Sequence, residues 1–419
     1  MSSIENGPRK MPVSPAEIGQ RGNPADICMP DYRNCLVNLS SSIMRYFGAE
    51  PSHETLPLAD RLLTGNYRNV ILILLDGLGL KMLENNLKPD GFLASHLAGD
   101  YLSVFPPTTV AATTGLLSGL YPCESGWLGW DCYIPPIDRN VTMFRNVDAD
   151  TGESLRGEGA GEDTAHRYYP YQSIFDRIRE AGGLAYAASP FMELCIPTLE
   201  GNLERAAALC RQPGKKFIYV YDSEPDHTMH NCGCGSAEAS QITALQEQKV
   251  EEFCRTLRDT ELADSENESE DGGDENNGGT LVLITADHGH IDTGGAALSA
   301  HPEIEKCLVR KPAIEPRAKS FFVKEGMEAD FEKAFLEAFG QDYLLYKKEE
   351  VLEMGLFGPL QSSLEHPDFR RMIGDYLALA RKNLSFYNTE AEAERFLSHH
   401  AGITADEMRI PLIAFRSRG

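Results

Sequence analysis

Three runs of apolar residues recur along the chain, and each is followed by a carboxylate. Runs of five or six residues fit strands that are buried on both faces, as in a parallel sheet. The runs and their acids are Val70–Leu75 before Asp76, Phe217–Tyr221 before Asp222, and Leu281–Thr285 before Asp287. Helical patterns lie between them, so we predict an α/β fold with a mostly parallel, doubly wound central sheet and helices on both faces. Ligands bind at the carboxyl ends of such strands, where these acids lie.

The pattern changes after about residue 325. Phenylalanines then recur every fourth residue, which is typical of an amphipathic helix, and shorter strand-like segments follow. These features are Phe331, Phe335, Phe339, Tyr343–Tyr346, Tyr376–Ala380 and Leu384–Tyr387. We predict a small inserted α+β subdomain at residues 326–396, between the two parts of a catalytic α/β core at residues 26–325 and 397–419.

Two segments have patterns that predict no packed structure. Residues 1–25 are polar and dotted with prolines, which indicates a flexible N-terminal tail. Residues 259–280 carry an acidic run with almost no apolar side chains, so we expect an acidic, mobile loop there.

The composition of the chain argues against a membrane protein, a disulfide-rich protein and a nucleic-acid-binding protein. With 419 residues and 42% hydrophobic residues, the chain can fill a sizeable core. No apolar run is long enough to span a bilayer, and the ten cysteines follow no disulfide framework, so we expect a cytoplasmic protein that does not bind membranes. The net charge of -24 argues against binding a nucleic acid polymer. A small anionic substrate is compatible with this charge if metal ions neutralise it locally.

Candidate metal ligands lie at the predicted strand ends. Asp76 precedes Gly77, and the Asp287-His288 pair offers oxygen and nitrogen ligands to one divalent ion. Asp226 and His230 are four residues apart, which places both on one face of a helical turn. Each motif alone is also compatible with a helix cap or an ordinary polar position. Together they predict a metal site.

A segment of small and hydroxyl residues, Val104–Pro122, lies between the first two acids. A helix that starts after the Pro106-Pro107 pair would present Thr108 or Thr109 with free backbone N–H groups, which favour an anion. A threonine hydroxyl held there could attack phosphorus if a metal lowered its pKa. From the residues alone, helix capping is the commoner role for both threonines.

These motifs, in this order, resemble the alkaline phosphatase superfamily, and most closely its nucleotide pyrophosphatase/phosphodiesterase branch. The resemblance extends from about Val70 to Leu412. The matching segments are Asp76-Gly77, Thr109 with Ser118-Gly-Leu-Tyr-Pro122, Glu224-Pro-Asp226 with His230, Asp287-His288-Gly289, and a late histidine before Ala-Gly-Ile-Thr404.

The resemblance implies an alkaline-phosphatase-like fold and a metal-dependent hydrolase of phosphoryl esters, acting through a phospho-threonine intermediate at a two-metal site. The family spacing of ten residues before Gly119 selects Thr109 as the nucleophile, and the family's late segment favours His400 over His399, His301 and His366. One ion would be held by Asp76, Thr109, Asp287 and His288, and the other by Asp226, His230 and His400. Mixed nitrogen and oxygen ligands favour Zn²⁺, with Mn²⁺ and Mg²⁺ as alternatives.

Departures from the family pattern concern the substrate. Trp130 stands where the nucleotide branch has a phosphate-binding asparagine, and Met229 replaces the glycine of the E-P-D-x-x-G-H motif. Trp127, Trp130 and Tyr133 are predicted to line a pocket for a flat group, although core packing is the commoner role of such residues.

His290 and Asp292 are candidates to support the ligands, with an ordinary polar surface position as the equal alternative. The predicted substrate is a small phosphorylated molecule. The alternatives to a phosphodiesterase or nucleotide pyrophosphatase are a phosphomonoesterase, a phosphonate hydrolase, and a catalytically silent metal- or ligand-binding protein.

Overall fold

The computed structural model of the protein describes residues 27–155, 163–189, 196–267, 278–359 and 362–418. The predicted tail at residues 1–25 lies outside these ranges. The strands are β1 (Asn69–Leu75), β2 (Leu97–Leu102), β3 (Asp131–Ile134), β4 (Arg139–Thr142), β5 (Val147–Asp148), β6 (Leu184–Ala188), β7 (Lys216–Asp222), β8 (Thr280–Thr285), β9 (Ile291–Asp292), β10 (Gly294–Ala297), β11 (Ala313–Ile314), β12 (Ala318–Phe321), β13 (Tyr343–Lys347), β14 (Tyr376–Ala380), β15 (Leu384–Tyr387), β16 (Ser398–His399) and β17 (Arg409–Arg416). The α-helices are α1 (Leu36–Tyr46), α2 (Pro57–Leu62), α3 (Leu80–Asn86), α4 (Phe92–Ser95), α5 (Thr109–Ser118), α6 (Pro122–Ser125), α7 (Thr164–Tyr168), α8 (Ile174–Glu180), α9 (Leu199–Cys210), α10 (Asp226–Cys232), α11 (Ala237–Asn267), α12 (Pro302–Glu305), α13 (Glu328–Phe339), α14 (Lys348–Met354), α15 (Phe369–Met372), α16 (Glu390–Arg395) and α17 (Ala405–Met408).

A six-stranded sheet forms the centre of the fold, in the order β2-β17-β8-β1-β7-β6. β8, β1, β7 and β6 are parallel, whereas β17 runs antiparallel to β8 and to β2. All residues of β1 and β8 are buried, because aliphatic side chains on both faces of these strands are covered. The mostly parallel central sheet and the three strands predicted from the apolar runs are confirmed.

Helices cover this sheet in two groups. In one group α1 contacts α5 and α8. In the other, the long helix α11 contacts α9, α10, α3 and α4. Both α8 and α9 also contact β6. The packing is that of a layered α/β fold, as the alternating pattern predicted.

A second sheet has seven strands in the order β13-β14-β12-β11-β3-β4-β5, and its neighbouring strands are antiparallel. The predicted amphipathic helix is α13, and its three phenylalanines are buried in a cluster with Phe321 of β12. The sheet takes strands from residues 131–148, 313–321 and 343–380. The predicted insertion limits of 326–396 are therefore wrong for this sheet, because five of its strands precede residue 326.

The acidic segment differs from the prediction over its first part. Helix α11 continues to Asn267, so residues 259–267 are helical and not a loop. Glu261 is buried and accepts hydrogen bonds from the hydroxyls of Thr280 and Ser417. These contacts with residues that are distant in the sequence hold the first part of the acidic segment against the fold. Composition alone does not indicate such contacts. Residues 268–277 of the predicted loop lie outside the described ranges.

Two further observations concern the length of the helices and the state of the cysteines. None of the helices in the described ranges combines the length and the apolar composition that a membrane span requires. Within the same ranges every cysteine is a free thiol, Cys232 and Cys234 included.

Candidate active site

The carboxyl ends of β1, β7 and β8 meet at one edge of the central sheet. The Asp226 N–H donates to the Asp76 carbonyl oxygen over 3.1 Å, and the Gly77 N–H donates to Asp287 Oδ1, also over 3.1 Å. Gly77 has a φ of 74°, and a Cβ atom there would lie 2.9 Å from Asp226 Cβ. Glycine is therefore required where the two loops cross, and the three predicted acids are held together.

A first cluster consists of Asp76, Asp287 and His288, all buried. His288 Nε2 lies 3.4 Å from Asp76 Oδ1 and 3.5 Å from Asp287 Oδ2. The Tyr221 hydroxyl donates to the second Asp76 oxygen and fixes that carboxylate. The structure thus brings together the three side chains predicted for one ion.

Thr109 completes this cluster at the start of α5. Its Oγ1 lies 3.2 Å from His288 Nε2 and 3.4 Å from Asp76 Oδ2, and the side chain is partly exposed. Thr108 is the N-cap residue and is buried, and its hydroxyl points away to Glu315 Oε1 at 2.6 Å. The geometry therefore separates two threonines that the sequence could not separate without the family spacing.

A second cluster consists of Asp226, His230, His290 and His400. His230 Nε2 lies 3.4 Å and His400 Nε2 3.7 Å from Asp226 Oδ1. His290 Nε2 is nearer still, at 3.1 Å. The sequence predicted His290 only as a supporting or surface residue. Its one available signal was its position two residues after His288.

Both clusters have the spacing that a bound cation requires. Four ligands about 2.0–2.1 Å from a tetrahedral zinc ion are separated from each other by about 3.3 Å, close to the distances above. Asp226 Oδ1, Asp287 Oδ2 and His290 Nε2 are buried and have no hydrogen-bond partner in the described part of the chain. Buried polar atoms without partners are costly, and a metal ion would satisfy them.

Backbone carbonyls orient three of the imidazoles. His230 Nδ1 lies 2.9 Å from Ser398 O, His400 Nδ1 3.1 Å from Pro107 O, and His288 Nδ1 3.0 Å from Gly289 O. When Nδ1 donates its proton to a carbonyl, Nε2 keeps a lone pair. Each Nε2 then faces its cluster as a ligand, an arrangement typical of metal-binding histidines.

Burial and neighbouring charges disfavour the ionised form of the carboxylates in the first cluster. Burial, together with the nearby Asp287 and Asp226 charges, raises the pKa of Asp76 well above its usual range, and burial also raises the pKa of Asp287. Burial and neighbouring histidines lower the pKa of His290 to about 4, and they hold the pKa of His400 well below its ordinary value. At neutral pH these imidazoles are uncharged, and the crowded carboxylates need a cation.

Glu315 accepts the hydrogen bond of the Thr108 hydroxyl, and no sequence motif would have identified it. Besides Thr108, its Oε1 accepts the Trp130 N–H at 2.7 Å, so one carboxylate oxygen connects the start of α5 to the segment before β3. Burial raises the pKa of Glu315 to about 7. We expect this residue to position the first turn of α5.

Exchanging Glu315 for glutamine should change how stability depends on pH. The folded-state pKa is raised above the unfolded value, so the contribution of Glu315 is fully present below about pH 4.5 and is lost as the pH rises through about 7. Glutamine keeps an acceptor oxygen and does not ionise. Between pH 5 and 8.5, wild type should lose about 2–3 kcal/mol of unfolding free energy relative to Glu315→Gln, measured by urea unfolding. The exposed Glu325→Gln is the matched control, and parallel pH profiles for wild type and Glu315→Gln would contradict the prediction.

The predicted aromatic pocket is only partly present. Trp127 is fully buried and its indole N–H donates to the Tyr169 carbonyl oxygen, so its predicted place in a pocket is wrong. Tyr133 is 9% exposed and packs against Phe322, under the Arg310 guanidinium. Trp130 is 40% exposed and stands edge-on to the equally exposed Phe144. Of the three predicted residues, Trp130 is the one that offers an accessible ring.

A buried ion pair supports the loop that carries His400. Arg317 and Glu407 form two parallel contacts of 2.6 and 2.9 Å, and Glu407 also accepts the Gly402 N–H at 2.7 Å. The Gly289 N–H donates to the Glu407 carbonyl oxygen at 2.8 Å. Burial raises the pKa of Glu407, but the Arg317 charge outweighs it and the net pKa is lowered. The second sheet is thereby connected to both clusters through residues that no sequence motif indicated.

Comparison of the sequence with known families gives one assignment. A family model described as type I phosphodiesterase / nucleotide pyrophosphatase matches residues 70–401, which include both clusters and Thr109. A search of curated proteins finds no match.

Solved structures share the fold. Murine ectonucleotide pyrophosphatase / phosphodiesterase 5 superposes with a TM-score of 0.57 at 15% identity, over 82% of this chain and 87% of the murine chain. An inactive variant of the murine protein, with a threonine replaced by alanine and in complex with AMP, gives 0.56 at 14% identity over the same shares. Phosphonoacetate hydrolase from Sinorhizobium meliloti 1021, in complex with phosphonoformate, gives 0.54 at 14% identity, over 84% and 90% of the two chains. At these identities the similarity establishes the fold.

Proposed function

Because the chain belongs to the type I phosphodiesterase / nucleotide pyrophosphatase family and is thus a phosphoric ester hydrolase, we propose that it cleaves small phosphodiesters or nucleotide pyrophosphates through Thr109. The proposal includes two bound divalent ions and a covalent phospho-threonine intermediate. The observation that carries it is the position of Thr109 Oγ1, 3.2 Å from His288 Nε2 and beside Asp76, at the N-terminus of α5.

The two clusters are the proposed metal sites. Asp76, Asp287, His288 and Thr109 would hold one ion, and Asp226, His230 and His400 the other. The separations that match a tetrahedral shell favour Zn²⁺, while Mn²⁺ and Mg²⁺ prefer more ligands and more oxygen. When bound, the ions supply positive charge that lowers the pKa of the Thr109 hydroxyl and neutralises the phosphoryl oxygens.

The residues of the chain carry out the remaining steps. Thr109 Oγ attacks phosphorus, the bond from phosphorus to the leaving oxygen breaks, and the leaving group departs as an alcohol or phosphate. Water then attacks the phosphorus of the threonyl ester, the bond between phosphorus and Thr109 Oγ breaks, and the hydroxyl regains its proton. The first-turn N–H groups of α5 have no intrahelical acceptor and favour the phosphoryl anion.

A flat group on the substrate is supported by the exposed ring of Trp130. Its backbone N–H is bound to Glu315, the same residue that holds Thr108, so the indole and the nucleophile are fixed to a common support. The AMP complex of the murine relative supports a nucleotide, and the phosphonoformate complex of the bacterial relative supports a phosphonate as the second candidate substrate. Both ligands are small and phosphorylated.

Metal analysis and a substrate panel test the proposal. The purified protein should contain, or rebind after chelation, two ions per chain. It should then hydrolyse bis(p-nitrophenyl) phosphate and nucleotide p-nitrophenyl esters faster than p-nitrophenyl phosphate or phosphonoacetate. Preference for the monoester or the phosphonate would replace the proposed substrate class. A protein that binds ions and hydrolyses no member of the panel would be a silent metal-binding protein, and the proposal would be wrong.

A further inference from the structure

His290 stands out among the buried polar residues around the two clusters because its Nε2 atom, which faces the second cluster, has no hydrogen-bond partner in the described part of the chain. It is fully buried, its Nε2 lies 3.1 Å from Asp226 Oδ1, and neither of these two atoms has a hydrogen-bond partner within the described ranges. We propose that His290 is a fourth protein ligand of the second ion, which is therefore held by three imidazoles and one carboxylate. This inference rests on the two-metal site of the proposed function and adds a ligand to it.

The distances around Asp226 Oδ1 support a single tetrahedral shell. The Nε2 atoms of His290, His230 and His400 lie 3.1, 3.4 and 3.7 Å from this oxygen. A zinc ion with ligands at about 2.0–2.1 Å separates them by about 3.3 Å, and the mean of the three distances is close to this value. The His290 distance fits as well as those of the other two histidines.

The three rings also surround one point. Their centroids are 4.6 Å apart for His230 and His290, and 5.3 Å apart for the other two pairs. The rings are inclined to one another by 60° to 79°, so they do not stack. Inclined rings at these separations leave room for one ion between their Nε2 atoms.

The other ring nitrogen of His290, Nδ1, contacts the side chain of Cys234. It lies 3.7 Å from Cys234 Sγ, a distance at which sulfur acts as a weak acceptor, and the Cys234 N–H donates to Asp292 Oδ1 at 2.6 Å. Before His290, a Cβ atom on Gly289 would lie 1.9 Å from the Asp406 carbonyl oxygen. The backbone is therefore tightly packed directly before His290, and the His290 ring has its Nε2 beside Asp226 and its Nδ1 beside Cys234.

The type of ligand makes the two ions unequal. The second ion would have three imidazoles and a carboxylate, whereas the fourth ligand of the first ion is the hydroxyl of Thr109, a weaker donor to zinc than an imidazole. The second ion should therefore be the more tightly bound, and partial chelation should leave about one ion per chain.

Zinc retention tests this proposal without relying on turnover. Wild type, His290→Ala, His290→Gln and the control His227→Gln would be loaded with zinc, dialysed against increasing concentrations of a chelator, and analysed for zinc per chain. His227 is exposed on the same short helix as Asp226 and His230, so its variant controls for changes in α10. Wild type and His227→Gln should keep one zinc over a wide range of chelator. Both His290 variants should lose it at concentrations lower by about 100-fold or more.

A crystal structure of the zinc-loaded wild-type protein provides a second measurement that does not depend on how the variants fold. His290 Nε2 should lie about 2.0–2.1 Å from the second ion. A separation beyond 3 Å, or zinc retention by the His290 variants equal to that of wild type, would overturn the ligand assignment while leaving the two-metal hydrolase intact. A wild-type protein that binds one ion or none would overturn the two-metal site itself.

Discussion

Thr109→Ala should lower kcat by about 10⁴-fold or more while leaving zinc bound, because it removes the atom that would form the covalent bond to phosphorus. The side chain is small and partly exposed at the first position of α5, so its loss should cost little stability. Steady-state hydrolysis of bis(p-nitrophenyl) phosphate measures the effect. Zinc analysis of the same sample, expected to show an intact second site, establishes that the centre is still assembled.

Two further variants make the Thr109 result specific. Thr108→Ala breaks the hydrogen bond to Glu315 but leaves the nucleophile in place, so activity should fall by about tenfold or less. Thr109→Ser retains a hydroxyl and should remain measurably active. An acid quench during turnover should yield a peptide that spans residues 104–122 with the phosphoryl group on Thr109. If Thr108→Ala is inactive and Thr109→Ala is active, the nucleophile is the neighbouring residue.

Removal of the ions should destabilise the folded protein as a whole. Ions that bind only the native state stabilise it by about 4 kcal/mol each when their free concentration is 1,000 times Kd. Chelation would also leave the buried Asp76 and Asp287 carboxylates, and the partly buried Asp226 carboxylate, close together without a cation. We expect Tm at neutral pH to fall on the order of 10 °C, measured by scanning calorimetry with and without chelator.

Reloading identifies the ion and provides the control. Zinc should restore Tm at lower free concentrations than Mn²⁺ or Mg²⁺, because three imidazoles favour it. Thr109→Ala should show nearly the same zinc-dependent rise in Tm as wild type, since the seven carboxylate and imidazole side chains of the two clusters are unchanged. An unchanged Tm after complete removal of metal would contradict a role for the ions in holding these loops together.

Predictions from the sequence agreed with the structure where an apolar run is followed directly by a candidate metal ligand. β1, β7 and β8 were predicted from uninterrupted apolar runs, and Asp76 and Asp287, which follow β1 and β8, meet because parallel strands end at the same edge. Asp222, which follows the β7 run, lies outside both clusters, and Asp226 is the acid of this segment that joins them. The family motifs then separated Thr109 from Thr108 and His400 from His399. In the structure, the six predicted carboxylate and imidazole ligands lie in the two clusters, and Thr109 lies beside the first.

Features that depend on distant parts of the chain were not predictable in this way. Strand β11 pairs Ile314 with Asp131 of β3, a contact that no periodicity indicates, so the second sheet extends beyond the predicted insertion at residues 326–396. Helix α11 continues through residues 259–267 because Glu261 meets Thr280 and Ser417. Trp127 and Trp130 are three residues apart, and only packing shows that one is buried and the other exposed.

Strand β17 has a consequence for how the protein is made. It lies between β2 and β8 in the central sheet, and the preceding segment carries His400 and Glu407. A growing chain that has not reached residue 416 therefore has two unpaired strand edges at the heart of its fold, which invite association with other chains. A chain that ends before residue 400 also lacks the His400 imidazole and Glu407, so the second cluster cannot be complete at that stage. The second cluster and the strand between β2 and β8 therefore both depend on residues 400–416, and a chain that stops short of them lacks both.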